Sequence, residues 1–284
     1  MLATLKYYSI RLAIILHKAL PEFVKIIICY SLAFLSFLFL KNRRKIIEEN
    51  IKIITGKENK KLVLQTFINF SLDFADLLKI YCLNSEKIKK LPKIIRGTEY
   101  IENALKNGKG IIFVDAHLGN WEVGGCFLGA MGYPVVAVVE PLKDKRYYKL
   151  LNKLRTKTGM GIIELNLSVG RNILKNLKQG KLVVLLGDRD LTGTGIEVDF
   201  FGKKAKLPKG PAQFALKTGA PIITGYFVRK GLHYIVEAEP PINYIPTGDK
   251  EKDIRNLTEI LAKRLENKIK EYPTQWYVFQ RPWD

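Results

Sequence analysis

Two reactive residue types are scarce in this chain of 284 residues, which holds three cysteines and three histidines. Cys29, Cys82 and Cys126 lie far apart in apolar surroundings, which excludes a disulfide framework and a cysteine-rich zinc cluster. A reducing compartment is the default. Acid is also in short supply. Forty-seven Lys and Arg stand against 27 Asp and Glu, a formal net charge of +20. Such an excess favours polyanions: nucleic acid, an anionic membrane surface or phosphorylated small molecules. Repeats and low-complexity linkers are absent, and so is a Gly-x-Ser-x-Gly elbow, the mark of one large group of serine nucleophiles. What is present is a chain 47% hydrophobic and 26% charged, globular in composition and long enough to bury a core without cross-links.

One long apolar run stands out. Residues 23–40 carry a single charge, Lys25, and Lys41, Arg43, Arg44 and Lys45 follow at once. A helix of that length rises about 27 Å, near the hydrocarbon thickness of a bilayer. The run starts late and has no small-residue cleavage site after it, which argues against a secretory signal. Three readings stay open. The helix spans or dips into a bilayer with the basic cluster on the cytosolic side, it lies on anionic headgroups, or it is a buried core helix. Residues 1–60 are expected to form a membrane-associating helical region and 61–284 one catalytic domain.

Beyond residue 97 short apolar runs alternate with helical patterns. Residues 111–115, 134–142 and 181–188 read as buried strands, and 221–228 with 232–240 as strands joined through Arg229-Lys230-Gly231. Helices are expected at 62–83, 97–107, 120–131, 143–157, 168–180, 209–218 and 248–271, with residues 86–96 as a basic connector around Pro92. The pattern predicts an α/β fold: a mostly parallel central sheet with a late antiparallel hairpin, helices on both faces, and the N-terminal apolar helix. Active residues then belong beyond the carboxyl ends of the strands.

Of the histidines, His17 sits in a basic amphipathic stretch and His233 begins a strand after a turn. Both suit surface or structural roles. His117 differs, because it follows the strand 111–115 and precedes a turn into a helix. Glu122 stands five positions on, in the first helical turn, where its carboxylate is placed to fold back onto the imidazole. A carboxylate on one ring nitrogen fixes the tautomer and leaves the other nitrogen free to take a proton. The same spacing also arises by chance around a structural histidine. Asp188, Arg189 and Asp190 follow the strand 181–187, either as an ion-paired loop or as groups positioning an acceptor or donor phosphate. Lys209 precedes Gly210-Pro211 at a helix start, where free amides suit a phosphate; a solvated basic loop is the plainer reading of 202–211. Phe200-Phe201 reads as core rather than as the lip of a tunnel, and Cys126 as packing.

The segment HLGNWE at 117–122 resembles the His-x4-Asp/Glu box of the glycerolipid acyltransferase superfamily. More narrowly it resembles the late acyltransferases of lipid A biosynthesis and the phosphatidylinositol mannoside acyltransferases. Arg43-Arg44 with Asn50, the stretch GDRDLTGTGIEVDFFGKKAKLPKGPAQFALKTGAPI at 187–222 and the closing PTQWYVFQRPWD are similar to further blocks of that family, in the same order. Glu122 stands where many superfamily members have Asp. The resemblance covers most of the chain. It implies transfer of a fatty acyl group from acyl carrier protein or acyl-CoA to a hydroxyl of a membrane glycolipid, a lipid A precursor or a glycosylated phospholipid. His117 and Glu122 are then the catalytic pair. Arg155 stabilises the site, Glu197 lines it near His117, and Lys209, Gly210 and Pro211 belong to an acceptor-binding block. No metal and no cofactor beyond the acyl thioester are implied, and the protein is expected to act as a monomer at the cytoplasmic face of the inner or plasma membrane.

Other classes fit less well. A lysophospholipid acyltransferase or a thioester hydrolase would use the same pair. A nucleic-acid binder would explain the charge, but no recognisable module is present and the basic residues are spread along the chain. Part of the excess also matches a thermophilic or genomic bias toward Lys and Ile.

Overall fold

The structure, a computed structural model, describes residues 2–283, with side-chain surroundings from Tyr7 onward. Four helices come first: α1 (Leu2–Ala19), α2 (Glu22–Phe39), α3 (Lys41–Thr55) and α4 (Lys60–Ile80). After the short α5 (Ser85–Lys89) the chain alternates through β1 (Pro92–Arg96), α6 (Thr98–Lys106), β2 (Ile111–Asp115), α7 (Trp121–Ala130), β3 (Val135–Val139) and α8 (Lys145–Lys157). It continues through β4 (Gly161–Glu164), α9 (Val169–Lys178), β5 (Leu182–Leu186), β6 (Ile196–Phe200), β7 (Lys203–Leu207) and α10 (Gly210–Thr218). The hairpin β8 (Ile222–Lys230) and β9 (His233–Ala238) and the helix α11 (Lys250–Glu271) complete it.

Seven strands form one sheet in the order β1-β9-β8-β2-β5-β3-β4. Every neighbouring pair is parallel except the hairpin β8–β9. Strand β2 shows why. All five of its residues are buried, as expected of a strand covered on both faces. Ile111 and Phe113 pack against Val123, Cys126 and Phe127 of α7 on one face. Ile112 and Val114, pointing the other way, join Ile173 and Leu177 of α9 and Leu257 and Leu261 of α11. The last helix earns its place by an apolar stripe at Ile254, Leu257, Leu261, Leu265 and Ile269, all buried. Its start is capped by Asp249, which accepts from the amides of Glu251 and Lys252 at 3.1 and 3.2 Å.

Three features depart from the sequence expectation. The stretch 86–96 is not all connector: α5 and the edge strand β1 lie within it, and Pro92 is tolerated because it opens an edge strand. β4 adds a further edge strand at 161–164. The basic loop of 202–211 is instead half of a separate two-stranded ribbon, β6–β7. Val198 and Phe200 face the core, while Glu197 and Asp199 stand opposite Lys206 and Lys204 on the outer side. Asp199 and Lys204 are 3.2 Å apart. Phe200 is fully buried beside Trp276, so the core reading of that aromatic pair holds.

The reading of α2 as a buried core helix is excluded. Only Cys29 and Ala33 of its residues are buried, and Phe23, Ile27 and Phe39 are 65%, 60% and 74% exposed.

Candidate active site

The site follows from strand register. Adjacent parallel strands β2 and β5 pair Asp115 with Leu186, and the ladder runs on through the Gly187 amide to the Asp115 carbonyl (2.8 Å). Two residues beyond each strand stand His117 and Asp188. His117 Nδ1 lies 2.9 Å from Asp188 Oδ1, and the His117 amide donates to Asp188 Oδ2 at 2.9 Å. The indole N–H of Trp276 donates to the same Oδ2 at 2.8 Å. Asp188 is fully buried. Burial pushes its pKa up, but the facing His117 imidazole and the hydrogen bonds from His117 and Trp276 outweigh it and hold the carboxyl below the ordinary range. An ionised carboxylate only accepts, so Nδ1 carries the proton and Nε2 is left with its lone pair. The Trp121 ring packs edge-on against the imidazole, 5.1 Å between centroids.

The partner expected for His117 was Glu122, and the structure pairs the imidazole with Asp188 instead. The reason is local. Asn120 caps α7, its Oδ1 accepting from the Val123 amide at 3.3 Å. Glu122, second in the helix, is turned to α8, where Arg155 grips both carboxylate oxygens, Nε to Oε2 at 2.9 Å and Nη2 to Oε1. Arg155 is buried and also bonds Asn152 at 2.9 Å. The pair locks α7 to α8 behind the turn that holds His117. Glu122→Gln leaves that guanidinium without its counter-charge, so unfolding free energy should fall by about 2–4 kcal/mol. Urea denaturation checks this; an unchanged midpoint would show that the pair contributes nothing.

The turn holding His117 is pinned from several sides. The Gly119 amide donates to the Gln275 carbonyl and the Asn120 amide to the Phe227 carbonyl, both at 2.8 Å, and the Tyr277 amide donates to the His117 carbonyl at 2.8 Å. Gly119 has φ +62°, and a Cβ there would sit 2.3 Å from the Phe227 carbonyl oxygen, so only glycine fits. Asn120 Nδ2 reaches the Asp73 carbonyl (2.9 Å) and the Tyr234 hydroxyl (3.1 Å). Beneath lies a buried cluster. Asp73 accepts from Arg229 (2.7 Å), the Tyr234 hydroxyl (2.9 Å) and the Tyr277 hydroxyl (2.7 Å), and Asp76 also binds Arg229.

Several of these residues had no assigned role in the sequence reading: Trp276, Tyr277, Gln275, Asp73, Arg229 and Trp121. The segment PTQWYVFQRPWD was visible as a block, and its aromatic density next to a Gln was the available signal. Its partners are the residues noted near the start of the chain. Asn50 donates to the Val278 carbonyl at 2.9 Å and Arg43 to the Phe279 carbonyl at 2.8 Å. Gln275 exchanges two hydrogen bonds with the Arg229 backbone (2.8 and 2.7 Å).

The remaining predicted residues are placed as follows. Arg189 is half-buried beside Asp188 and makes no side-chain bond to another described residue. Among the described residues Asp190 enters no ion pair; it holds its own loop by accepting from the amides of Thr192, Gly193 and Gly195. Glu197 is exposed on β6 and its side chain joins no hydrogen bond to a described residue; its carbonyl accepts from Arg255. Lys209, Gly210 and Pro211 begin α10. That helix runs into the amino end of β8, so its N-terminus lies toward the carboxyl ends of the strands, the side that carries His117 and Asp188. Cys126 is buried and burial pushes its thiol up to about 12, which suits packing.

A buried carboxylate holding an imidazole whose other nitrogen bonds no described residue lies here beyond the carboxyl ends of a parallel sheet, an arrangement chemically able to take up a proton. The chain belongs to the family of bacterial lipid A biosynthesis acyltransferases, which it matches over residues 2–284. It is similar to a phosphatidylinositol mannoside acyltransferase of Mycobacterium tuberculosis, with 28% identity over 214 residues, 73% of this chain and 66% of that protein. The corresponding protein of Mycolicibacterium smegmatis is 28% identical over 190 residues, 65% of this chain and 60% of that one. A lipid A biosynthesis palmitoleoyltransferase of Escherichia coli is 21% identical over 257 residues, 86% of this chain and 79% of that protein.

Proposed function

We propose that this protein is an O-acyltransferase that moves a fatty acyl group from acyl carrier protein or acyl-CoA to a hydroxyl of a membrane glycolipid. The observation that carries the reading is the His117–Asp188 pair, with Nε2 bonded to no described residue, in a chain of this family. His117 Nε2 takes the proton of the acceptor hydroxyl as that oxygen attacks the thioester carbonyl. The C–O bond forms, the carbonyl electrons move to oxygen, and on collapse the C–S bond breaks. The departing thiolate receives the proton from the imidazolium, which Asp188 has stabilised throughout. No covalent acyl-enzyme is required. Glu122 and Arg155 act by positioning the turn and α7 rather than by touching the imidazole.

Arg189, Lys209 and the free amides in the first turn of the helix that Gly210-Pro211 opens are assigned to phosphate groups of acceptor or donor, a role supported by their placement toward the strand ends. Glu197 is carried as a site residue on resemblance alone. The acceptor is a lipid A precursor or a glycosylated phospholipid, with similarity to enzymes of both kinds. The enzyme works as a monomer at the cytoplasmic face of the inner or plasma membrane, a placement supported by the basic flank of α2.

The test offers labelled acyl-CoA and acyl carrier protein to the purified protein with a panel of glycolipids, and reads products by mass. An acylated glycolipid is expected. Release of free fatty acid with every acceptor left unmodified would instead make the protein a thioester hydrolase.

A further inference from the structure

Helix α2 does not stand alone. Glu22 at its start pairs with Lys79 near the end of α4 (3.9 Å), and Phe37 near its end meets the Phe67 ring, early in α4, at 6.0 Å between centroids. The two helices therefore lie side by side and antiparallel. Ala33 and Phe37 share a cluster with Val63 and Phe67 of α4 and with Ile47 and Ile51 of α3. The opposite face of α4 is bonded into the catalytic domain. Asn69 donates to the Thr274 hydroxyl (3.0 Å), and Asp73 binds Arg229 and Tyr277, each at 2.7 Å. An upright α2 would draw α4 into hydrocarbon, and with it Asp73, Asp76 and the catalytic turn that Asp73 supports. Buried carboxylate–guanidinium clusters of that kind belong outside the bilayer core unless they serve a pore or relay.

The outer side of the same layer is apolar. Phe23, Ile27, Tyr30, Phe34 and Leu38 follow a spacing of four, three, four and four along α2 and are 41–65% exposed. On α1, Leu12 and Ile15 are 55% and 60% exposed. An exposed surface of this extent marks an interaction site. Exposed Lys18, Lys41 and Lys45 border it, in a chain of net charge +20, a pattern complementary to anionic headgroups. Ring contacts also lead from α4 to the site. Phe70 of α4, 39% exposed, touches Tyr277 (5.2 Å between centroids), Tyr277 touches Trp121 (6.2 Å), and Trp121 touches His117.

We propose that α1 and α2 form a platform lying in the plane of one anionic leaflet, not a transmembrane anchor, with the catalytic domain seated on it so that the His117 cleft opens at headgroup level. This deepens the acyltransferase reading by stating how the site meets a lipid acceptor: the acceptor need not leave its leaflet.

The experiment places a nitroxide label at Phe23→Cys, Tyr30→Cys or Leu38→Cys, each in a Cys82→Ser background, since Cys29 and Cys126 are buried. Label depth is measured in vesicles of phosphatidylglycerol and phosphatidylcholine. An in-plane helix puts all three labels at one depth, about 5–10 Å into the leaflet. A spanning helix would put the Tyr30 label about 10 Å deeper than the other two, and that result overturns the platform. Labels left in water, or shielded by a second protein copy without lipid contact, overturn it as well. The same samples are assayed for acyl transfer in detergent. Transfer without equal depths sinks only the platform; equal depths without transfer sink only the proposed reaction.

Discussion

Asp188→Asn is expected to lower kcat about 10³- to 10⁴-fold while leaving the fold in place, because it changes which imidazole nitrogen holds the proton. The substitution is nearly isosteric, and the surroundings dictate how the amide sits. The position of Oδ2 faces two donors, the His117 amide and the Trp276 indole, so the Asn oxygen must go there. The Asn nitrogen is left facing His117 Nδ1, where the carboxylate oxygen had accepted at 2.9 Å. Its N–H then donates to Nδ1, and the ring must carry its own proton on Nε2. The nitrogen meant to receive the acceptor's proton is already occupied. The measurement is kcat across pH, with thermal unfolding as a check on folding. A variant within tenfold of wild type would show that Asp188 only braces the turn.

His117→Ala should lower transfer at least as far, by about 10³-fold or more, since losing a general base alone costs 10² to 10⁴. The loss should fall on kcat with little change in KM, as the imidazole acts on the hydroxyl during reaction rather than in holding the lipid. The surrounding pins belong mostly to the backbone at 117–120 and survive the change, so the variant should remain folded. Transfer at an undiminished rate would end the general-base mechanism. The two variants together also separate roles. Combining them should cost little more than His117→Ala alone, because Asp188 works through the ring.

The sheet was legible from local signals. Runs such as 111–114 and 182–186, apolar at every position, carry the mark of strands covered on both sides, and His117 could be placed just beyond one of them. The chemistry was only half legible. Glu122 was the candidate partner because it is near in sequence, whereas the true partner, Asp188, is near through a register between β2 and β5 that chain order does not specify. Arg155 illustrates the same limit from the other side. Its guanidinium was identified with the site by resemblance, but that it occupies both Glu122 oxygens depends on how α8 packs on α7. The ribbon β6–β7 was missed for a different reason. Its turn, Phe201-Gly202, has φ of +54° and +73°, the geometry of a tight two-residue hairpin that Asn-Gly usually announces. Phenylalanine gives no such signal. Its backbone is held in that unfavourable region by tertiary partners, the Glu266 carboxylate accepting from its amide at 2.7 Å and Trp276 and Trp283 packing on its ring.

The way segment 273–283 is built into the site sets a schedule on the protein's maturation. Asp188 obtains its Trp276 donor, and the His117 carbonyl its Tyr277 partner, only from chain made more than eighty residues after Asp188 itself. Arg43 and Asn50, made early, must likewise wait for the Phe279 and Val278 carbonyls. A chain that lacks this segment has its first helices but not the partners that pin His117 and Asp188. Full alignment of the His117–Asp188 pair thus waits until residues 273–283 have been made and folded back onto it.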